Sequence, residues 1–179
     1  MQTHEDGKGE IVDIEDHLRR FTPPKPRNKH PAEWRVVCLR ECPLPDAMHL
    51  CDTPQAAAEF WRSHVVNAPY YNPEIECFIV LHLNTRRRLR GHHLASMGTL
   101  DTILVHPREV FRAAVIAGAA AIILMHNHPS GEPQPSEADI KITRDLIRAG
   151  QMLKMEVLDH VIVGNPNHCS LRELGYFYS

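Results

Sequence analysis

The 179-residue sequence lacks any apolar run approaching the roughly 18 to 20 residues that a membrane-spanning helix needs. Its opening, MQTHEDGKGE, has no apolar h-region, so neither a membrane span nor a signal peptide is read and the expected compartment is the cytoplasm. A surplus of charge is also missing. Lys plus Arg at 20 against Asp plus Glu at 22 leave a formal −2, which gives no general attraction to a polyanion and leaves any nucleic-acid contact to a local patch. Paired cysteines are absent too: Cys38, Cys42, Cys51, Cys77 and Cys169 are odd in number and form no CxxC. That argues against a disulfide framework and against a thiolate zinc site, and it fits a reducing environment in which Cys38 and Cys42 are ordinary small side chains. What remains is 43% apolar and 23% charged residues, the composition of one soluble globular domain with a real core. Collagen-like, mucin-like and wholly disordered chains are excluded. The count that stands out is 13 histidines, since imidazole is both a common metal ligand and the side chain that titrates near neutrality.

Along the chain, residues 1–33 carry few large apolar groups and hold Pro23, Pro24, Pro26 and Pro31. They read as a mobile N-terminal arm with one short helix around Ile11 to Phe21. Globular texture begins at 34: RVVCL is a strand candidate, and Thr53-Pro54 caps and opens a helix through PQAAAEFWRSHVV. ECFIVLHL (Glu76 to Leu83) is a β-rich apolar strand, and a second strand follows the polar turn Asn84 to Arg88, so the two form a hairpin. His106-Pro107 opens the helix PREVFRAAVIA, which Gly118 terminates, and AAAIILM is apolar enough for a central strand covered on both faces. A loop with three prolines, a helix from Ser136 and the strand MEVLDHVIVG complete the pattern. Strands alternating with helices, plus one hairpin, predict an α/β domain whose mixed sheet is flanked by helices, without internal repeats.

Chemistry concentrates after the central strand. His126 and His128 are two residues apart, so an extended backbone directs both imidazoles to the same side. Asp139 stands eleven residues beyond, in the first turn of the next helix, where the helix dipole favours the ionised carboxylate a metal requires. Two imidazoles and a carboxylate with an open fourth position suit a hydrolytic zinc site. Each part also has a plainer reading. Ser136-x-x-Asp139 matches a helix capping box, and His-x-His before a proline turn can be two solvated loop residues. The conjunction of strand end, His-x-His, rigid loop, capped helix and carboxylate favours the metal.

His126-x-His128, seven intervening residues and Ser136-x-x-Asp139 resemble the JAMM signature of the JAB/MPN metalloprotease superfamily, and HNHPSGEPQPSEADIKIT resembles its bacterial RadC branch. ECFIVLHLN, VHPREVFRAA and VLDHVIVG resemble the branch's flanking strand, helix and strand, so the likeness runs from Thr53 to Tyr176. It implies one JAB/MPN-type domain over residues 34–179 with cytidine-deaminase-like layering. It further implies that His126, His128 and Asp139 bind zinc, that Ser136 sits beside the substrate carbonyl and that Glu76 is the general base. The activity implied is a metallopeptidase or isopeptidase that cleaves an amide bond of a peptide or protein substrate with a metal-activated water. Glu76 is chosen over Glu74 by alignment with the family strand; a carboxylate at the mouth of an apolar strand is partly desolvated, which suits proton transfer.

The alternative is a RadC-like DNA-associated or regulatory module that keeps the metal site without peptidase activity. Two departures from the branch bear on that choice. The arm lacks the helix-hairpin-helix pattern usual there, which weakens a DNA-repair role, and Asn84 replaces a frequent Asp as a turn residue. The letters HNH also name a nuclease, but that nuclease is a ββα unit, and iron oxygenases with two His and one carboxylate sit in β-barrels. Arg86, Arg87, Arg88 and Arg90 read as a solvated turn rather than a phosphate site, and His106 and His160, candidates to line the site, read first as packing or capping residues.

Overall fold

The computed structural model describes residues 3–5, 11–13, 50–98 and 105–177. The chain divides into two compact units, Met1–Val37 and Cys38–Ser179. In the first, β1 (Thr3–Glu5) pairs antiparallel with β2 (Ile11–Asp13). This corrects the helix expected from Ile11. Ile11 and Val12 are β-branched residues that lose side-chain freedom in a helix and suit a strand, and the intervening sequence holds Asp6-Gly7-Lys8-Gly9, residue types suited to a reversal. The remainder of that expected helix, the proline-rich stretch, Cys38, Cys42 and the RVVCL strand lie outside the described residues.

The second unit opens with α1 (Pro54–Phe60), whose N-cap Thr53 accepts the Ala56 N–H at 3.2 Å. The helix then widens into a π-turn over Trp61–Val65 instead of continuing as α, with Trp61 and Val65 both buried. The hairpin follows as expected: β3 (Glu76–Leu83) and β4 (Leu89–Gly98) join through a turn in which Asn84 Oδ1 accepts the N–H groups of Arg86 and Arg88. Asn84 is therefore the turn residue it was read to be. His106 caps α2 (Pro107–Ile116) by accepting the Arg108 N–H, and Gly118 takes the left-handed φ of 60° beyond its end.

The apolar run is β5 (Ala121–Asn127), buried throughout; α3 (Glu137–Leu153), β6 (Glu156–Val163) and a short β7 (His168–Ser170) complete the unit. The sheet order is β4-β3-β5-β6-β7, with β5 and β6 parallel and the other neighbours antiparallel, which is the mixed sheet expected. Strand β5 is covered on both faces. Ile123 and Met125 pack with Phe60, Trp61, Ile79 and Leu81 on the α1 side, while Ile122 and Leu124 pack with Phe78, Val110, Phe111 and Leu146 on the α2 and α3 side. Among the described residues no helix is long and apolar enough to cross a membrane.

One register slip bears on the candidate site. Ile122 pairs with Val157 but Ile123 pairs with Asp159, so Leu158 is an extra residue in β6. Without it, side-chain alternation would send His160 to the α1 face. With it, His160 comes level with Leu124 on the α2/α3 face. Asp159 secures the bulge: its Oδ1 accepts the His160 N–H at 2.7 Å and its Oδ2 accepts the Ser170 hydroxyl at 2.7 Å.

Candidate metal centre

The site is built where β5 ends. Phe78 on β3 pairs with His126, and continuing that antiparallel register sets Glu76 across from His128, on the same face of the sheet as both histidines. Glu76 is half-buried, whereas Glu74 is exposed in the preceding turn, its N–H bonded to Asn72 Oδ1. Register thus distinguishes two acids that composition does not. Between the histidines, buried Asn127 faces the other way: its Oδ1 accepts the Cys77 N–H at 2.9 Å and its Nδ2 donates to Ile75 O at 3.1 Å. These bonds grip the backbone on either side of Glu76.

The carboxylate arrives from α3. Ser136 is the extended N-cap of that helix and Asp139 its third residue, and the capping box is complete. Asp139 Oδ2 accepts the Ser136 N–H at 2.8 Å and the Ser136 hydroxyl at 2.6 Å, while Ser136 Oγ accepts the Asp139 N–H at 3.1 Å. Capping and metal-binding geometry are therefore compatible. With Oδ2 occupied, Oδ1 points at His126 Nε2, 3.2 Å away.

The separations fit a metal. His126 Nε2 and His128 Nε2 are 3.0 Å apart, and among the described residues His126, His128 and Asp139 form a group whose ligand atoms lie within 4.8 Å of one another. Ligands about 2.0 to 2.1 Å from a tetrahedral zinc are about 3.3 to 3.4 Å from each other, close to these separations. His128 Nδ1 donates to Glu132 O at 2.8 Å, which leaves its Nε2 lone pair for the ion. The loop that carries this carbonyl is held against the β6–β7 turn: Asn165 N–H reaches Gly131 O at 2.9 Å, and a Cβ on Gly164 would fall 2.2 Å from that oxygen, so glycine is required there.

The electrostatics suit a cation. Burial acts to raise the Asp139 pKa, but hydrogen bonds from His126 and His128, the charge of His126 and the bond from Ser136 outweigh it and hold the carboxyl well below the usual carboxylate range. His128 is pushed above its ordinary value, chiefly by its hydrogen bond to Asp139, against burial, with smaller contributions that include the charge of Glu76.

His160 reads from sequence first as a packing or capping residue and second as one that lines the site, and the structure places it in the layer beneath His126. It is fully buried beneath His126, with its Nε2 2.8 Å from His126 Nδ1 and its Nδ1 2.6 Å from Thr143 Oγ1. His106 is the cap it was read to be. Thr143, Asn127 and Asp159 gave no sequence signal, because their partners stand 17, 50 and 11 residues away respectively, at spacings that no helix or strand period marks.

A mixed α/β sheet carrying a His-x-His strand end and a capped helix with Asp in its first turn defines a JAB-type domain. Residues 51–176 match the family described as RadC-like JAB domain, and the chain belongs to that family. It is 48% identical over 102 residues to a UPF0758 protein of Caldanaerobacter subterraneus subsp. tengcongensis, covering 57% of this chain and 44% of that one. It is 42% identical over 130 residues to a UPF0758 protein of Thermosynechococcus vestitus, covering 73% and 50%. The chain spans about half the length of the curated relatives it matches.

Proposed function

We propose that this chain is a zinc-dependent amide hydrolase of JAMM type acting on a peptide or protein substrate. The observation that carries the reading is the convergence of His126, His128 and Asp139 donor atoms on the sheet face that also bears Glu76. Zinc, when held by those three ligands, supplies a Lewis acid that makes water a competent nucleophile near neutral pH. Glu76 accepts a proton from the attacking water and returns it to the amine that leaves. Ser136 turns its hydroxyl toward the carbonyl oxygen as negative charge develops there, and its backbone N–H, 2.8 Å from Asp139 Oδ2, keeps the carboxylate in place meanwhile.

The test combines metal analysis of the full chain, purified without added metal, with hydrolysis of a peptide and isopeptide library. About one zinc per chain is expected, lost in the double variant His126→Ala, His128→Ala. Glu76→Gln keeps size and hydrogen bonding without basicity, so it should retain zinc and lower hydrolysis by about two to four orders of magnitude. Full metal content in the double variant, or an active Glu76→Gln protein, overturns the assignment. Zinc uptake without cleavage of any library member would favour the DNA-associated or regulatory module instead.

A further inference from the structure

We infer that Thr143 and His160 are positioning residues that set the tautomer of His126, through a hydrogen-bond chain of one polarity that leaves the His126 Nε2 lone pair facing the metal. The chain begins on α3. Thr143 Oγ1 lies 2.6 Å from the carbonyl oxygen of Asp139, one helical turn back, and two oxygens that close need a proton between them. A carbonyl cannot supply it, so the hydroxyl proton is committed there. Thr143 Oγ1 is also 2.6 Å from His160 Nδ1, and with its proton spent it can only accept, so Nδ1 of His160 carries the hydrogen.

His160 is fully buried, and its ring contacts through nitrogen are Thr143 and His126, so it is neutral and its Nε2 bears a lone pair. That nitrogen is 2.8 Å from His126 Nδ1, which must then be the donor. The remaining lone pair of His126 is on Nε2, 3.0 Å from His128 Nε2 and 3.2 Å from Asp139 Oδ1. Reversing any link would put an N–H on the ring nitrogen that a metal held by His126 would need. Ligating histidines commonly give their second N–H to a carbonyl or carboxylate, as His128 does to Glu132; here the acceptor is a second imidazole whose own tautomer is set from the helix. The relay starts at the main chain of Asp139 and ends on the ring that faces its carboxylate, and the Leu158 bulge brings His160 to the face where this is possible.

The inference rests on the metal reading above, and its test separates the two. Long-range 1H–15N NMR of the zinc-loaded full chain reports which ring nitrogen carries hydrogen: Nδ1–H is expected at His160, and Nδ1–H with a metal-bonded Nε2 at His126. Thr143→Ser, which keeps the hydroxyl, should hold the zinc Kd within about twofold, and Thr143→Val, which keeps the shape alone, should weaken it about 10- to 100-fold in chelator competition. Nε2–H at His160 in a zinc-bound chain, or an unchanged Kd in folded Thr143→Val, overturns the inference alone. If Thr143→Val does not fold, the tautomers of the wild-type chain decide. A wild-type chain that takes up no zinc overturns the metal reading and this inference together.

Discussion

Ser136 has one hydroxyl proton, and in this structure Asp139 Oδ2 receives it at 2.6 Å. The cap it makes on α3 and the proposed contact with a substrate carbonyl can be separated by measurement. As a cap, Ser136→Ala should cost about 1 kcal/mol of stability. As an oxyanion donor it should also lower kcat by about 10² to 10³ with zinc content unchanged. A stability loss with wild-type kcat would leave Ser136 as a cap. Asn127 poses a similar question from the other side of the site. Asn127→Ala strips partners from the Cys77 N–H and the Ile75 carbonyl, at about 1 to 3 kcal/mol for each group left buried and unpaired. Chemical denaturation should show that loss, and the freed backbone at Glu76 should lower kcat without altering zinc content.

Helix α3 links the carboxylate to the rest of the unit, and its far end is imperfect. Lys154 closes it at φ 56°, the left-handed region that favours glycine. Lys154→Gly should therefore raise stability by about 0.5 to 1 kcal/mol, which for a chain of this size is about 1 to 4 °C in Tm. Four residues earlier the opposite holds. A Cβ on Gly150 would lie 2.5 Å from Met155 O and 3.1 Å from Val157 Cγ2, so Gly150→Ala should lower Tm although alanine is the better helix former. Paired thermal melts of the two variants check both signs.

Three histidines of the sheet, His82, His93 and His160, are shifted by burial toward the neutral form, and this bears on the response to acid. His82 bonds to His93 Nδ1 at 2.8 Å, and burial followed by the neighbouring histidines pushes its pKa down to about 3; burial likewise lowers His93 and, further, His160. A folded-state pKa below the unfolded value means that the unfolded chain binds the extra proton first. The stability these groups contribute is full above about pH 6.5 and is lost as pH falls toward the folded-state values. Two groups act in the other direction. In the metal-free chain, His128, raised chiefly by Asp139, contributes stability that is present below about pH 6.5 and fades as pH rises through its folded value. Asp159, raised by burial, favours the folded state as it takes up its proton in acid. For His82 alone the loss between pH 7 and pH 5 is about 2 kcal/mol, so denaturation midpoints of His82→Gln should fall less over that interval than those of the wild type. An identical fall would assign the acid sensitivity to other groups.

Local chemistry determined the parts of this protein. Alternation and apolar runs placed β3 to β6, the caps Thr53 and Ser136 started their helices, and the spacing of His126, His128 and Asp139 announced a candidate ligand set, because each of these signals lies within one element or across one loop. Ile11–Asp13 failed by the same logic, since a short segment takes the structure of its pairing partner, here Thr3–Glu5. Tertiary structure decided the rest. The π-turn after Phe60, the three-residue β7, the extra residue at Leu158, the register that sets Glu76 across from His128, and the meeting of His160 with His126 and Thr143 depend on register and packing between separate segments. A one-residue slip in register exchanges the two faces of a strand, and a period-two pattern read along one strand cannot say where its neighbour slips.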